Sequence, residues 1–469
     1  MISAGASESA IAKAEAGIRL VIERTAVGTL GELSLDRLDL FLGSGSKGHQ
    51  IFDAVFGWGR RLIARQVGAD RGFLKMAAPE MVGIDESEAI LPRVRPSFEG
   101  YRLLREYFLL PERFHFVRFS GLREVVRTCE GQALELIILF DKPQSDISDV
   151  NEGDFVPFVT PIVNLFEREC NIVELDPRRT SHVVHADRTR PRDFEIYRLL
   201  RIEDAERDGP NAKLAHLYGM DQLHGSNLVF STDRRPRRPS NDEIAANQMR
   251  TSYSGDDFLI SVARPPNARD AVPVRRLDIR ALCTNRDLPI LDDTPKLTLE
   301  SGDPVGEVRL LQAVRRPRPS LSAELPDTGR SEAEMEDLTW RWIAQLSLSQ
   351  LSIAEDGPEP LRALISLYAD RGDPAYARHG RSVTTAAAMP VMDRVAVPGP
   401  ICFAHGTEVT LDIDEGVLSG SSRLLLSALL ARLFARHTAI NSFVRTKSKL
   451  TLAQEEVKWP SVTGTRNLM

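Results

Sequence analysis

From about Ser421 to Thr438 the chain places Leu424, Leu425, Leu426, Leu429, Leu430, Leu433 and Phe434 on one helix. That apolar face is much wider than a surface helix needs. Such a helix persists only where something covers it, so the chain must either bury it against a sheet or offer it to another subunit. A sheet strand is close by in sequence. Between Glu408 and Asp414, Val409, Leu411 and Ile413 alternate with Thr410, Asp412 and Asp414, the period of a half-buried antiparallel strand.

The 469 residues are too many for one ordinary core and predict two to four domains. Hydrophobic residues make up 42% and charged residues 27%, which is globular composition, and no run of like charge suggests a disordered tail. A formal net charge of -6 gives no basic footprint for nucleic acid. Cys129, Cys170, Cys283 and Cys402 are scattered without CxxC spacing, so neither a disulfide framework nor a zinc ribbon is expected, and a cytoplasmic setting fits. The first twenty residues lack a basic leader followed by an apolar stretch, and the most apolar run, Leu424 to Leu430, is far too short to span a membrane.

Periodicity predicts a strand over Ile18 to Thr25, then a slip of phase between Leu33/Leu35 and Leu38/Leu40/Leu42 that implies a break near Asp36 and Arg37. Ile51 to Ala64 reads as a helix weakened by Gly57 and Gly59. A second helix is expected over Phe98 to Leu110, stopped by Pro111. Ala133 to Phe140 is a continuous apolar strand, and Pro161 to Phe166 reads as one short helix. From Asn171 to Pro289 strands dominate, near Phe194–Ile202, Asn227–Ser231, Phe258–Val262 and Arg276–Thr284. Arg/Pro segments at 234–239 and 315–319 read as linkers or surface loops, with helices expected at 335–351 and 360–369 beyond the second. The expected class is α+β and multidomain. It divides into a β-rich region at 1–130, a β-dominated middle at 131–320 and an α+β region at 321–469.

Motifs that could carry chemistry have plainer readings. Gly43 to Gly48 matches G-x-G-x-x-G, but the strand before it alternates Leu38, Leu40 and Leu42 with Asp39, whereas a Rossmann strand is buried on both faces. A turn is the better reading. His182 and His185, three apart in a strand, would point to opposite faces, and no neighbour supplies further metal ligands. Cys402 and His405 could pair as nucleophile and base, yet Cys402 sits between Ile401 and Phe403 with no third group to orient the histidine. Asp412 and Asp414 share a strand face that solvation explains, and Arg234, Arg235, Arg237 and Arg238 read as a charged loop.

The stretch Ala281 to Pro289 is more distinctive. Leu277, Ile279, Ala281 and Cys283 form an apolar strand face, and the following turn concentrates Thr284, Asn285, Arg286 and Asp287. Either the turn caps itself, or Arg286 and Asp287 meet a partner.

Four blocks together resemble a known family: SFEGYRLLREYFLLPERFHFV around Tyr101, RALCTNRDLP around Cys283, RWIAQLSLSQLS around Trp342, and a C-terminal block from Val391 in VMDRVAVPGPICFAHGTEVTLDIDE through SRLLLSALLARLFARHTAINSF. They resemble the TssF (ImpG/VasA) family of baseplate subunits of the bacterial type VI secretion system. The resemblance implies a non-enzymatic protein without cofactor or metal, related in architecture to wedge subunits of contractile phage baseplates. It implies two copies around one TssG, joined to TssK and TssE around the VgrG hub, in a cytoplasmic baseplate docked at the inner-membrane complex. Tyr101, Arg102, Tyr107, Arg286, Asp287, Leu425, Leu429, Phe434 and Phe443, within or beside these blocks, are the expected assembly residues. Segments of the types YYExEL and SDPHVERL, usual near the family's N-terminus, are missing, which implies an N-terminally shortened chain. A Cys402–His405 hydrolase or a phosphate-binding protein built on Gly43 to Gly48 is the alternative.

Overall fold

The computed structural model describes residues 14–68, 74–93, 98–142, 147, 149–207, 212–219, 228–237, 250–264, 274–292, 295–302, 305–318, 340–345, 354, 357–369, 374–395, 402–418, 420–450 and 455–465. The chain forms two units. One is built from residues 1–162 together with 340–469, and the other from 163–339. The class is α+β, as expected, but the division is not. A cut after residue 130 would separate the Ala133–Phe140 strand from Ala16–Glu23 and Gly59–Gln66, its two hydrogen-bonded neighbours.

In the discontinuous unit, Ala133–Phe140 lies centrally in an antiparallel sheet ordered Ala16–Glu23, Ala133–Phe140, Gly59–Gln66, Leu74–Met76. Leu134, Leu136 and Ile138 are fully buried on it. Glu135 faces the other way and is clamped by Arg19 at 2.5 Å and Arg65 at 2.7 Å, one from each flanking strand. A second antiparallel sheet runs Glu80–Met81, Phe116–Ser120, Arg37–Phe41, Val156–Pro157. Its Arg37–Phe41 strand starts at the expected break, where the Asp36 carbonyl accepts the Leu122 N–H instead of continuing a ladder.

The helix expected over Ile51 to Ala64 is a correction. Helix α1 covers Ser46–Asp53, one π-helical turn covers Ala54–Trp58, and Gly59–Gln66 is a strand. A Cβ on Gly59 would lie 2.1 Å from the Val55 carbonyl oxygen, so only glycine allows the chain to leave the helix at that point. Leu62, Ile63 and Ala64 are then buried in a sheet rather than on a helix face, tertiary packing overriding a short helical period. Helix α2, Arg102–Leu109, ends before Pro111 as expected, and a short helix α3 spans Arg123–Arg127.

The third sheet is C-terminal. Val383–Val395, Cys402–Ile413, Phe443–Leu450 and Glu455–Lys458 are neighbours in that order, and Val462–Thr463 also pairs with Phe443–Leu450. Cys402–Ile413 and Phe443–Leu450 are parallel, a geometry that requires a crossover, and helix α5, Arg423–His437, supplies it. Helix α4, Glu359–Ala369, lies where the sequence places it. Of the helix expected over 335–351, residues 340–344 are helical, and 335–339 and 346–351 lie outside the described residues.

The second unit is all β among its described strands. One sheet joins Val173–Glu174, Arg276–Thr284 and Glu195–Asp204, with Phe166–Glu169 also on Arg276–Thr284. The other runs His182–Val184, Asp256–Ala263, Val229–Pro236, Ala215–His216. Ile196, Ile202, Leu277 and Ile279 of the first pack with Val184, Phe258 and Ile260 of the second in one core. The short helix expected over Pro161 to Phe166 is absent: residues 159–165 carry no regular structure and a strand begins at Phe166.

Candidate functional site

Of the nine expected assembly residues, eight are buried in their own unit and Arg102 is partly buried. Leu425, Leu429, Phe434 and Phe443 are at most 5% exposed. The wide apolar face of α5 is consumed by the Phe443–Leu450 strand, by α1 and α2, and by the turn Glu99–Tyr101. The helix is the core of its own unit.

The start of α5 is built for this. Ser422 is its N-cap, accepting from the Leu425 N–H at 3.0 Å, and donates its own hydroxyl proton to Asp53 at 2.5 Å. Asp53 stands at the end of α1, 369 residues earlier in the chain. Its carboxylate also accepts from the backbone N–H groups of Arg423 and Leu424 and from the Arg423 guanidinium, each at 3.3 Å. A carboxylate at a helix N-terminus satisfies orphan donors and meets the positive end of the helix dipole. Burial nevertheless pushes the Asp53 carboxyl up to about 6, against the lowering by Ser422 and Arg423. Arg423 is held from its other side by Glu415 at 2.6 Å.

Beside it lies a chain of buried rings. His49 Nδ1 donates to the Gly45 carbonyl at 2.6 Å, which leaves Nε2 to accept from the Tyr376 hydroxyl at 3.2 Å. Tyr107 meets His379 Nδ1 at 3.0 Å, and His379 Nε2 meets the Ser421 hydroxyl at 3.2 Å. His115 packs edge-on against His49 at 4.2 Å between ring centroids. Burial pushes His115 down to about 3 and His379 to about 4, with neighbouring His49 adding to both, and burial also lowers His49. These rings are neutral.

The family-like block around Tyr101 closes the same seam. The Tyr101 hydroxyl donates to the Gln345 carbonyl, and Tyr368 donates to the Gln345 side chain at 2.8 Å. Arg102 pairs with Glu106 at 2.9 Å one helical turn on, and Glu106 also pairs with Arg113. Arg113 donates to the carbonyls of Gly83 at 2.7 Å and Glu88 at 2.9 Å.

In the second unit, Arg286 and Asp287 are buried and do not pair with each other. Arg286 adopts φ 53 and sends its guanidinium to the Ser254 carbonyl and over the Tyr253 ring. A Cβ on Gly255 would lie 2.8 Å from that guanidinium. Asp287 accepts from the Thr251 hydroxyl at 2.6 Å, and Tyr253 donates to Glu195 at 2.7 Å. The turn is a clasp between two strand ends.

Several of the candidate chemical groups are likewise engaged. Lys47, in the glycine-rich turn, pairs with Asp154 at 2.8 Å rather than facing an open phosphate cradle. His182 accepts from the Asp176 N–H, Asp412 from the Thr385 hydroxyl, Asp414 from the Gly416 N–H, and Arg234 donates to the Tyr197 carbonyl. His405 is exposed on a strand, and the Cys402 side chain lies outside the described residues. Among the described residues, no group of three or more His, Cys, Asp or Glu could hold a metal, and no helix is long and apolar enough to cross a membrane.

Sequence reasoning missed Asp53, His49, His379 and Ser422, because hydrogen bonds such as those across 272, 327 and 369 residues leave no local period. It also passed over Phe158, which is fully exposed with φ 59.

The family model described as "Type VI secretion system, TssF" matches residues 2–466. The curated type VI secretion system component TssF1 of Pseudomonas aeruginosa strain PAO1 is 34% identical over 467 residues, covering 97% of this chain and 73% of that protein. The fold is similar to a chain in the solved TssK-TssF-TssG baseplate subcomplex of the type VI secretion system, with TM-score 0.69 and 18% identity over 96% of this chain and 79% of that one.

Proposed function

Because the chain belongs to the TssF family of the type VI secretion system, we propose that it is a baseplate wedge subunit that assembles with TssG-like and TssK-like partners. Two copies surround one TssG-like subunit, TssE joins them, and the whole encloses a VgrG-type hub in the cytoplasm, docked at the inner-membrane complex. Its contribution to effector injection is mechanical, not chemical.

The observation that carries this reading is the family match along the whole chain, taken with what the family-like residues do here. They fasten segments of the chain to one another, and Lys47 of the glycine-rich turn and His182 are held in local contacts as well. A protein that transmits force needs such fastening more than it needs an open pocket.

Co-expression with the TssG-like subunit of the same secretion system tests the proposal. The expected result is one complex on gel filtration with two copies of this chain per partner. Separate elution of both proteins, each folded, would remove the assembly role.

A further inference from the structure

The C-terminal sheet runs on past the helix that covers it. Val409, Leu411 and Ile413 are fully buried, and Leu411 is in register with Ser448, whose hydroxyl accepts from Ser427 of α5 at 2.7 Å, so this is the face on which α5 packs. Helix α5 ends at His437, and residues 438–442 return the chain to Phe443, which starts its strand opposite Gly406. Before Gly406 the strands Val383–Val395 and Cys402–Ile413 therefore continue as a two-stranded ribbon. Alternation carries the α5 face onto this ribbon as Phe403 and His405, with Met392 directly opposite His405 and Arg394 directly opposite Phe403. Met392 is 61% exposed and Phe403 67%, and Arg394 and His405 are exposed with them.

The two faces of the ribbon differ in charge. On the far face Asp393 pairs with Arg445 at 2.8 Å, and Glu408 pairs with Lys447 at 2.7 Å and with Arg445, so the acids there are neutralised. On the α5 face, among the described residues, no carboxylate pairs with Arg394. The ribbon also limits what can cover this face. Its outer strand carries Pro390, which withholds a donor from the free edge and disfavours an added strand. A second copy packed face to face would set guanidinium against guanidinium, and like charges across an interface repel. A helix is what the same face already accepts further along, in α5. Arg394 selects one with carboxylates beside its apolar stripe.

We propose that an amphipathic helix of the TssG-like subunit, with acidic residues flanking its apolar stripe, packs across Met392 and Phe403 in line with α5, its carboxylates meeting Arg394. The inference rests on the assembly role proposed above, in which the TssG-like subunit is the chain that copies of this one surround. Methionine adapts to the surface of the incoming helix, and the aromatic ring supplies the anchor.

The test uses the full chain co-expressed with the TssG-like subunit. With p-benzoylphenylalanine in place of Phe403, irradiation should crosslink the two chains, and the crosslinked peptide should carry aspartate or glutamate beside apolar residues at helical spacing. Phe403→Ser should capture the subunit at least ten-fold more weakly, the scale of an anchor residue, and melt no lower than the parent. Added sodium chloride should weaken capture by the parent and affect Arg394→Ala much less, because the screened pair is gone. A crosslink to a second copy, to lipid or to nothing, while the parent still captures the subunit, overturns the docked helix and leaves the assembly role intact. Full capture by Phe403→Ser, a lowered melting temperature in that variant, or an unchanged salt dependence in Arg394→Ala overturns it too. If the parent captures nothing, the assembly role fails and the docked helix with it.

Discussion

The two units differ in the sequence distance over which their polar groups meet. The unit formed by 163–339 is one continuous stretch. It carries a cluster of ion pairs on an exposed sheet face, where Arg280 meets Glu167 and Arg201 lies near Glu169 and Asp278. Such pairs contribute little individually. The unit formed by 1–162 and 340–469 must bring together segments separated by more than 300 residues, and it places polar groups inside: Asp53 at the head of α5, Glu106 between Arg102 and Arg113, and neutral histidines beside tyrosines. Apolar contact alone would hold α5 in several registers. A buried carboxylate that needs the first N–H groups of α5 accepts only one.

The largest effect that would sharpen the contrast is Phe434→Ala, which empties a fully buried ring site in α5. It should destabilise the discontinuous unit by about 3 to 5 kcal/mol. Calorimetry should show that transition fall while the transition of the 163–339 unit stays in place. Two transitions moving together would erase the distinction.

Asp53→Asn comes next, at about 2 to 3 kcal/mol for the loss of a charged acceptor serving several donors. It also has a pH signature. Asp53 is raised to about 6 from its ordinary 3.8, so its share of stability is full below pH 4 and is lost as pH rises through 6. His115 and His379 are depressed to about 3 and 4 from 6.5, and theirs is full above pH 6.5 and lost as pH falls. Between pH 4 and 6.5 the histidines outnumber the aspartate, so the unit should weaken on acidification. Asp53→Asn removes the opposing group and should steepen that loss by about 1.4 kcal/mol per pH unit. A shallower slope in the variant would mean that folding lowers the Asp53 carboxyl instead of raising it.

The smallest effect belongs to the continuous unit. Asp287→Ala breaks its bond to Thr251 and should cost about 1 to 2 kcal/mol in that unit only. The transition of the discontinuous unit should not move.

What was legible in the sequence follows the same divide. Arg276–Thr284 has the expected bounds because period-two alternation is written into adjacent residues. The α5 helix is displaced by two residues at its start, since Ser422 caps it. Ile51 to Ala64 misled because three buried apolar residues of a central strand happened to continue a helical spacing. The nine marked residues were picked for their family-like blocks and their breadth of apolar face. Neither property separates a core from a docking surface, because both bury the same side chains. The seam was illegible for a simpler reason: Asp53 and Ser422 are ordinary residues until folding brings them to 2.5 Å.

Hydrogen exchange followed by mass spectrometry on α5, in the free chain and then with the TssG-like subunit added, tests most directly whether that helix is interior or interface. The predicted result is that the amides of Leu425 to Ala435 exchange only through global unfolding of the unit in the free chain, and that the partner leaves their protection unchanged. Fast exchange in the free chain that slows sharply on adding the partner would show that α5 is a docking surface after all.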